Sequence, residues 1–255
     1  MSRAVATVAR YVLIEARRSA LPWLSVAGVV SALGLSGFLS QVAIAESALL
    51  QASASAALLR ACAVFLIAAH VVSTVVRESN DKGLELALAL PISRPAWFLG
   101  KLLGFACTGA LIATLFALPL LAWASPVPLA AWWLALAAET AVVAAASLFF
   151  ASALRQTVPA IAATAGLYLL ARSVSAIQAI AGGPLAGESA SGLAARWVVD
   201  ALALLLPRLD EVTRSDWLLY GAPPAADFVA GLAGLAIYFA LLAAAGLFDF
   251  SRRNL

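Results

Sequence analysis

Six stretches of the chain are almost wholly apolar, at residues 21–39, 56–76, 102–121, 129–153, 158–180 and 228–248. Roughly twenty apolar residues in helical form cross the hydrocarbon layer of a bilayer, and each stretch reaches about that length. The stretches are too long and too uniformly Ala and Leu for the alternating strands of a membrane barrel. The pattern therefore predicts an all-α, polytopic membrane protein: one transmembrane domain over residues 1–255 with six spanning helices. Polar residues collect in an opening segment (1–19), a short segment at 77–94 and a longer one at 181–225.

The opening segment, "RAVATVARYVLIEARR", is helix-prone. Arg3, Arg10 and Arg17 recur every seven residues and so share one helix face, with Val5, Val8, Val12 and Ala16 opposite. Such a helix can lie in the headgroup layer with its arginines on anionic lipid. The alternative is a basic topology signal without a fixed helix. The segment does not read as a signal peptide, because the apolar run starts only after Arg17 and Arg18 and exceeds a signal core. In the longer segment, "AGGPLAGESASG" reads as flexible. Beyond it, Leu193, Trp197, Ala201, Leu204 and Leu205 fall at helical spacing and predict one or two short helices on the outer surface. Trp197, Trp217 and Tyr220 suit an interfacial aromatic belt.

Composition agrees with this picture. Hydrophobic residues make up 64% of the chain and mean hydropathy is +1.00, against about 45–50% apolar residues in soluble domains. Orientation comes from where the cations sit, since basic residues near span ends mark the cytoplasmic side. Arg3, Arg10, Arg17, Arg18, Arg77, Lys82, Arg94, Lys101, Arg155, Arg252 and Arg253 all fall on one side of the predicted topology, eleven of the sixteen Lys and Arg. Both termini are therefore expected in the cytoplasm, with the chain in the inner (plasma) membrane. Cys62 and Cys107 lie inside spans without a CxxC spacing and read as small buried thiols.

The segment "RESNDKGLELALALPISR" concentrates six charges (Arg77, Glu78, Asp81, Lys82, Glu85 and Arg94) in a chain that is only 11% charged. Asp81 can cap a helix and Pro91 cannot continue one, so residues 82–90 are expected to form a helix of about two and a half turns. Leu84, Leu86, Ala87, Leu88 and Leu90 cover a wide apolar arc, with Asp81, Lys82 and Glu85 opposite. Ser93 then caps a new helix, with Pro95 in its first turn. A short amphipathic helix at the cytoplasmic surface can anchor on lipid or dock in a groove of a cytoplasmic partner, and mixed charge suits specific pairing better.

"RESNDKGLELALALPISRPAWFLGKLLG" resembles the segment between spans 2 and 3 in permeases of type-2 ABC exporters. Arg77, Glu78, Gly83, Glu85, Leu86, Pro91, Ser93, Arg94, Gly100 and Lys101 match that pattern in order, while Leu84 stands where many members have Thr. "TVARYVLIEARRSALPWL" and "NDKGLELAL" look closest to the NosY-like branch associated with multi-copper enzyme maturation. The resemblance implies a dimeric membrane core, made with a second copy or a homologous permease, working with cytoplasmic ATPase subunits. Arg77, Glu78, Asp81, Lys82, Gly83, Glu85, Leu86, Leu88, Pro91 and Arg94 would then form the coupling segment seated on the ATPase. ATP and Mg²⁺ would bind there and not on this chain, which holds no Gly-x-x-x-x-Gly-Lys-Ser/Thr loop. The chain is expected to be a transport subunit, not an enzyme, with membrane lipid around it, no nucleic-acid partner and a periplasmic protein as a further partner in that branch. An ATPase-driven scaffold acting on a periplasmic partner without a transport path is the alternative.

Inside the spans, Glu139 is expected near mid-bilayer, where a lone carboxylate costs about 2.5–3.5 kcal/mol on insertion scales. It should face the bundle interior, protonated or paired, with Arg172 and Arg60 as candidate partners. A substrate- or proton-contacting role and an inter-helix pair both fit. His70, the single histidine, cannot supply a His-rich metal site and reads as hydrogen-bonded between helices. "GLSG" at 34–37 matches the Gly-x-Ser-Gly of rhomboid proteases. Ser36 and His70, however, differ in predicted depth by about 12–15 Å, beyond the reach of a nucleophile and its base. Gly28, Ser31, Gly34 and Gly37 read instead as a small-residue face for close helix packing.

Overall fold

The computed structural model describes residues 2–42, 47–81, 93–182 and 190–252. Its elements are α1 (Ser2–Arg18), α2 (Leu21–Val42), α3 (Ser47–Asn80), α4 (Arg94–Leu120), α5 (Pro126–Leu154), α6 (Thr157–Ala181), α7 (Ala190–Leu205), α8 (Trp217–Tyr220) and α9 (Ala225–Arg252). Among the described residues every element is helical. Six helices, α2 to α6 and α9, are long and apolar enough to cross a membrane, as the hydropathy pattern predicts. The predicted helix at 82–90 lies outside the described residues. α3 itself continues past the predicted end of its span at 76, through Asn80.

Ion pairs and ring contacts bring α1, the end of α3, the start of α4 and the end of α9 together at one end of the bundle, here called the basic end. Ser93 and Ser125 occupy the N-cap positions of α4 and α5, with Pro in the first turn of each helix. Neither hydroxyl makes a capping bond. Proline fits there because its missing N–H would have had no helical partner.

α3 and α5 form the centre, each with about 67% of its most apolar window buried, whereas α9 lies at the periphery with only 6% of that window buried. α5 touches α3, α4, α6 and α9. Between helices already in lipid, packing rather than the hydrophobic effect holds the contact, so small residues matter most where backbones come close. Gly100 and Gly104 show this on α4. A Cβ on either would stand 2.6 Å from Cβ of Val8 or Val12 on α1, a distance no side chain tolerates. Val8, Val12 and Ala16 are accordingly buried, and Arg3, Arg10 and Arg17 are exposed, as their spacing requires.

Two expectations about packing are corrected. On α2 the buried stripe is Leu21, Ser25, Gly28, Ala32 and Ser36; Ser31 is exposed and Gly34 and Gly37 meet nothing within 4 Å. The 3.6-residue turn rotates a strict three-residue repeat off the contact line, leaving only Gly28 of that set at the interface. The cysteines are free, but Cys107 is exposed on the outer face of α4 and Cys62 only half-buried.

Candidate functional site

Two polar clusters lie inside this apolar bundle, and α3 contributes to both. The first joins α3, α5 and α6 to the segment that follows α7. Glu139 on α5 is fully buried. Its Oε1 accepts a hydrogen bond from the Tyr168 hydroxyl at 2.9 Å and lies 3.7 Å from Nη1 of Arg172. Tyr168 and Arg172 are four residues apart on α6, so one helix face presents both. The Arg172 guanidinium also donates to the carbonyls of Leu209, Val212 and Thr213, and Arg60 of α3 donates to the Thr213 carbonyl at 2.8 Å.

These bonds explain why irregular chain can enter the bundle. Leu209, Val212 and Thr213 are buried although they belong to no helix, and Thr213 takes a left-handed φ of 56°. Non-helical backbone at such depth survives only where protein satisfies its polar groups. Two arginines do so here, and Glu139 offsets their charge. Asp210 adds a second acid near Arg172. Glu139 Oε2 and the Thr213 hydroxyl are both buried without a hydrogen-bond partner, and the two residues are close neighbours.

The second cluster lies at the basic end. Lys101, on the second turn of α4, is 2% exposed. Its ammonium pairs with Glu78 of α3 and lies 4.0 Å from Glu15 of α1. The ring centroids of Tyr11, Trp97 and Phe105 stand 5.6, 5.7 and 5.9 Å away, within cation–π range. A buried cation is tolerated only when paired and bonded in this way. Glu15 Oε2 and Glu78 Oε2 have no hydrogen-bond partner.

Burial pushes the Glu15 carboxyl above its ordinary value of 4.5; Lys101 and Arg77 pull the other way, while the like charge of Glu78 adds to the rise. A carboxyl whose pKa is higher when folded contributes most below its unfolded pKa, and that contribution fades as pH rises through the folded value. Glu15→Gln should therefore flatten the fall in unfolding midpoint from about pH 4.5 upward and leave the midpoint at pH 7 unchanged or higher. Thermal unfolding in detergent across that range measures this. An equal pH slope in both proteins would contradict it.

Of the residues singled out by sequence, Glu139, Arg172 and Arg60 converge, while His70 stands apart beside the Lys101 cluster. Its ring packs edge-on to Phe105 at 5.9 Å, and its Nε2 is buried with no hydrogen-bond partner, so the expected inter-helix bond through that atom is not made. Packing against the aromatic ring takes its place. Ser36 donates to Gln51 of α3 at 2.9 Å. Gln51 precedes His70 by nineteen residues, about 28 Å along the helix, so Ser36 and His70 form no dyad. Arg77 and Asp81 are exposed at the end of α3, and Arg94 is half-buried at the start of α4. Lys82, Gly83, Glu85, Leu86, Leu88 and Pro91 lie outside the described residues.

The sequence marks Lys101 as a cytoplasmic-side cation and as part of the exporter-like pattern, not as a buried ion-pair partner, and it gives no role to Glu15, Tyr168 or Thr213. For Lys101 a signal was present: Trp97, Lys101 and Phe105 are spaced by four, which sets the lysine between two aromatic rings on one helix face. Thr213 had none, because its role follows from a fold-back of the chain. No family model and no curated protein matches this chain.

Proposed function

We propose that the chain is the membrane-spanning subunit of a type-2 ABC exporter in the inner membrane, with both termini cytoplasmic. It works as a dimer with a second copy or a homologous permease, and a separate cytoplasmic ATPase supplies ATP hydrolysis. The wording of the sequence resembles the NosY-like branch. Residues 77–94 serve as the coupling segment.

One observation carries this reading. Glu78 and Lys101 both belong to the pattern that resembles the exporter permeases, they flank residues 82–92, and their side chains pair with each other. A push on the segment between them would reach α3 and α4 as one body, with α1 attached through Glu15. The force then has a path. α3 holds Glu78 in one cluster and Arg60 in the other, eighteen residues or about 27 Å away, close to the roughly 30 Å of a hydrocarbon core.

That path also favours a second reading. Arg60 and Arg172 grip the 209–213 segment, so motion arriving along α3 would reach a surface where a periplasmic partner could be moved without any solute crossing. Liposomes containing the permease and its ATPase separate the two: solute movement with stimulated ATP hydrolysis supports export, and hydrolysis without movement supports the scaffold. For either, Glu85→Arg should release or uncouple the ATPase while membrane insertion stays intact. Unchanged co-purification and unchanged stimulated hydrolysis would rule out docking at this segment.

A further inference from the structure

Beside α1 lies a cavity of about 490 Å³, bounded by α1, α2 and α4. Its walls are apolar, with Leu13 from α1, Leu21 from α2, and Ile112 and Leu115 from α4. Arg10 and Arg17 also line it. On α1 the residues at 10, 13, 14 and 17 form a single stripe, since a helix returns to the same face after three, four and seven residues. The stripe therefore reads cation, apolar, apolar, cation, with the arginines about 10.5 Å apart along the axis. Both arginines are exposed, and neither has an ion-pair partner among the described residues.

An apolar slot bracketed by two exposed cations is complementary to a molecule with a hydrocarbon tail and an anionic head. We infer that this groove binds one anionic phospholipid of the bilayer, with one of its two acyl chains between α1, α2 and α4 and its phosphate on Arg10 and Arg17. The volume falls in the roughly 300–1,000 Å³ range of small-molecule sites. The opposite face of α1 is committed to α4 through Val8 and Val12, so an occupant of the groove would wedge α1 against the same helix that carries Lys101. This differs from general attraction of a basic helix to an acidic surface, because both the chain and the head have assigned places. It needs only that the bundle sits in a membrane, so a failed transport assay leaves it standing.

Native mass spectrometry of the full chain in detergent, titrated with phosphatidylglycerol or with phosphatidylcholine of the same acyl chains, tests it. Phosphatidylglycerol should bind as a single tight copy and phosphatidylcholine weakly. A cation near an anionic surface contributes about fivefold in affinity, so Arg10→Gln with Arg17→Gln should weaken phosphatidylglycerol roughly 25-fold. Arg3→Gln with Arg18→Gln, which removes two charges from the same helix outside the groove, should leave it intact. Val26→Trp, at an outward-facing position on the groove wall, should weaken binding with both arginines in place. The inference is overturned by equal affinity for the two lipids, by equal loss in the control pair, by no effect of the tryptophan, or by competition from inorganic phosphate. An unchanged elution profile on size exclusion shows that each variant is folded.

Discussion

Arg172→Leu is expected to destabilise the protein by roughly 3–5 kcal/mol, the usual cost of removing one partner from a buried ion pair. The loss should concentrate in the segment after α7. Without the guanidinium, Glu139 loses its nearest cation, the Val212 carbonyl loses its donor, and the Leu209 carbonyl keeps only the Val212 N–H at 3.4 Å. Each orphaned buried acceptor costs about 1–3 kcal/mol unless the chain moves to find water, so the chain should move. Residues 206–216 should exchange amide hydrogens and be cut by protease far sooner than in the parent, while the α3–α5 core keeps its protection.

Two companion variants separate charge from tether. Glu139→Gln should be milder, because an amide oxygen still accepts from Tyr168 and Arg172 still holds the carbonyls. Arg172→Leu combined with Glu139→Leu should recover part of the stability, since an apolar pair removes the uncompensated carboxylate. It should not recover the segment's protection, because the carbonyls remain without their donor. Normal exchange across 206–216 in Arg172→Leu would show that the arginine does not hold the segment.

Lys101→Met should have an effect of similar size at the other end. It leaves Glu15 and Glu78 facing each other in a half-buried site with no ammonium between them, which again places the cost at roughly 3–5 kcal/mol. Glu15 can relieve part of it by taking up a proton, since its carboxyl already titrates high. The destabilisation should therefore be smaller at pH 5 than at pH 7.5. Lys101→Arg should not rescue fully, because three aromatic rings close around a compact ammonium and a planar guanidinium needs a different fork of partners. The readout is the unfolding midpoint together with proteolysis after Arg17 and Arg18, which reports α1 leaving α4. Under the exporter reading the same variant also loses stimulation of the ATPase. A midpoint and cleavage rate like those of the parent would mean that the lysine is not the clamp described here.

Both sites were partly legible beforehand. A carboxylate amid Ala and Val had to find a partner in the interior, so the chemistry of Glu139 pointed to Arg172 or Arg60 before any coordinates. What the sequence left open was the division of labour: Arg172 stands beside the carboxylate, whereas Arg60 donates to the Thr213 backbone carbonyl. The small-residue face on α2 was misplaced for a related reason. Spacing tells which residues share a face but not which face meets a neighbour, and only the position of α3 and α4 selects Ser25, Gly28, Ala32 and Ser36.

The sequence alone determined that the fold is helical, that six helices are long and apolar enough to span a bilayer, and that α1 is amphipathic. These properties follow from local periodicity and from the length that hydrocarbon demands. Tertiary structure decided the rest: that Lys101 is caged between Glu78, Glu15 and three rings, and that the 209–213 backbone is held by two arginines. It also decided that Arg10 and Arg17 bracket an apolar groove. Each of these joins residues far apart in the chain, and a polar group's energy in a bundle depends on which partner the packing brings within a few ångströms.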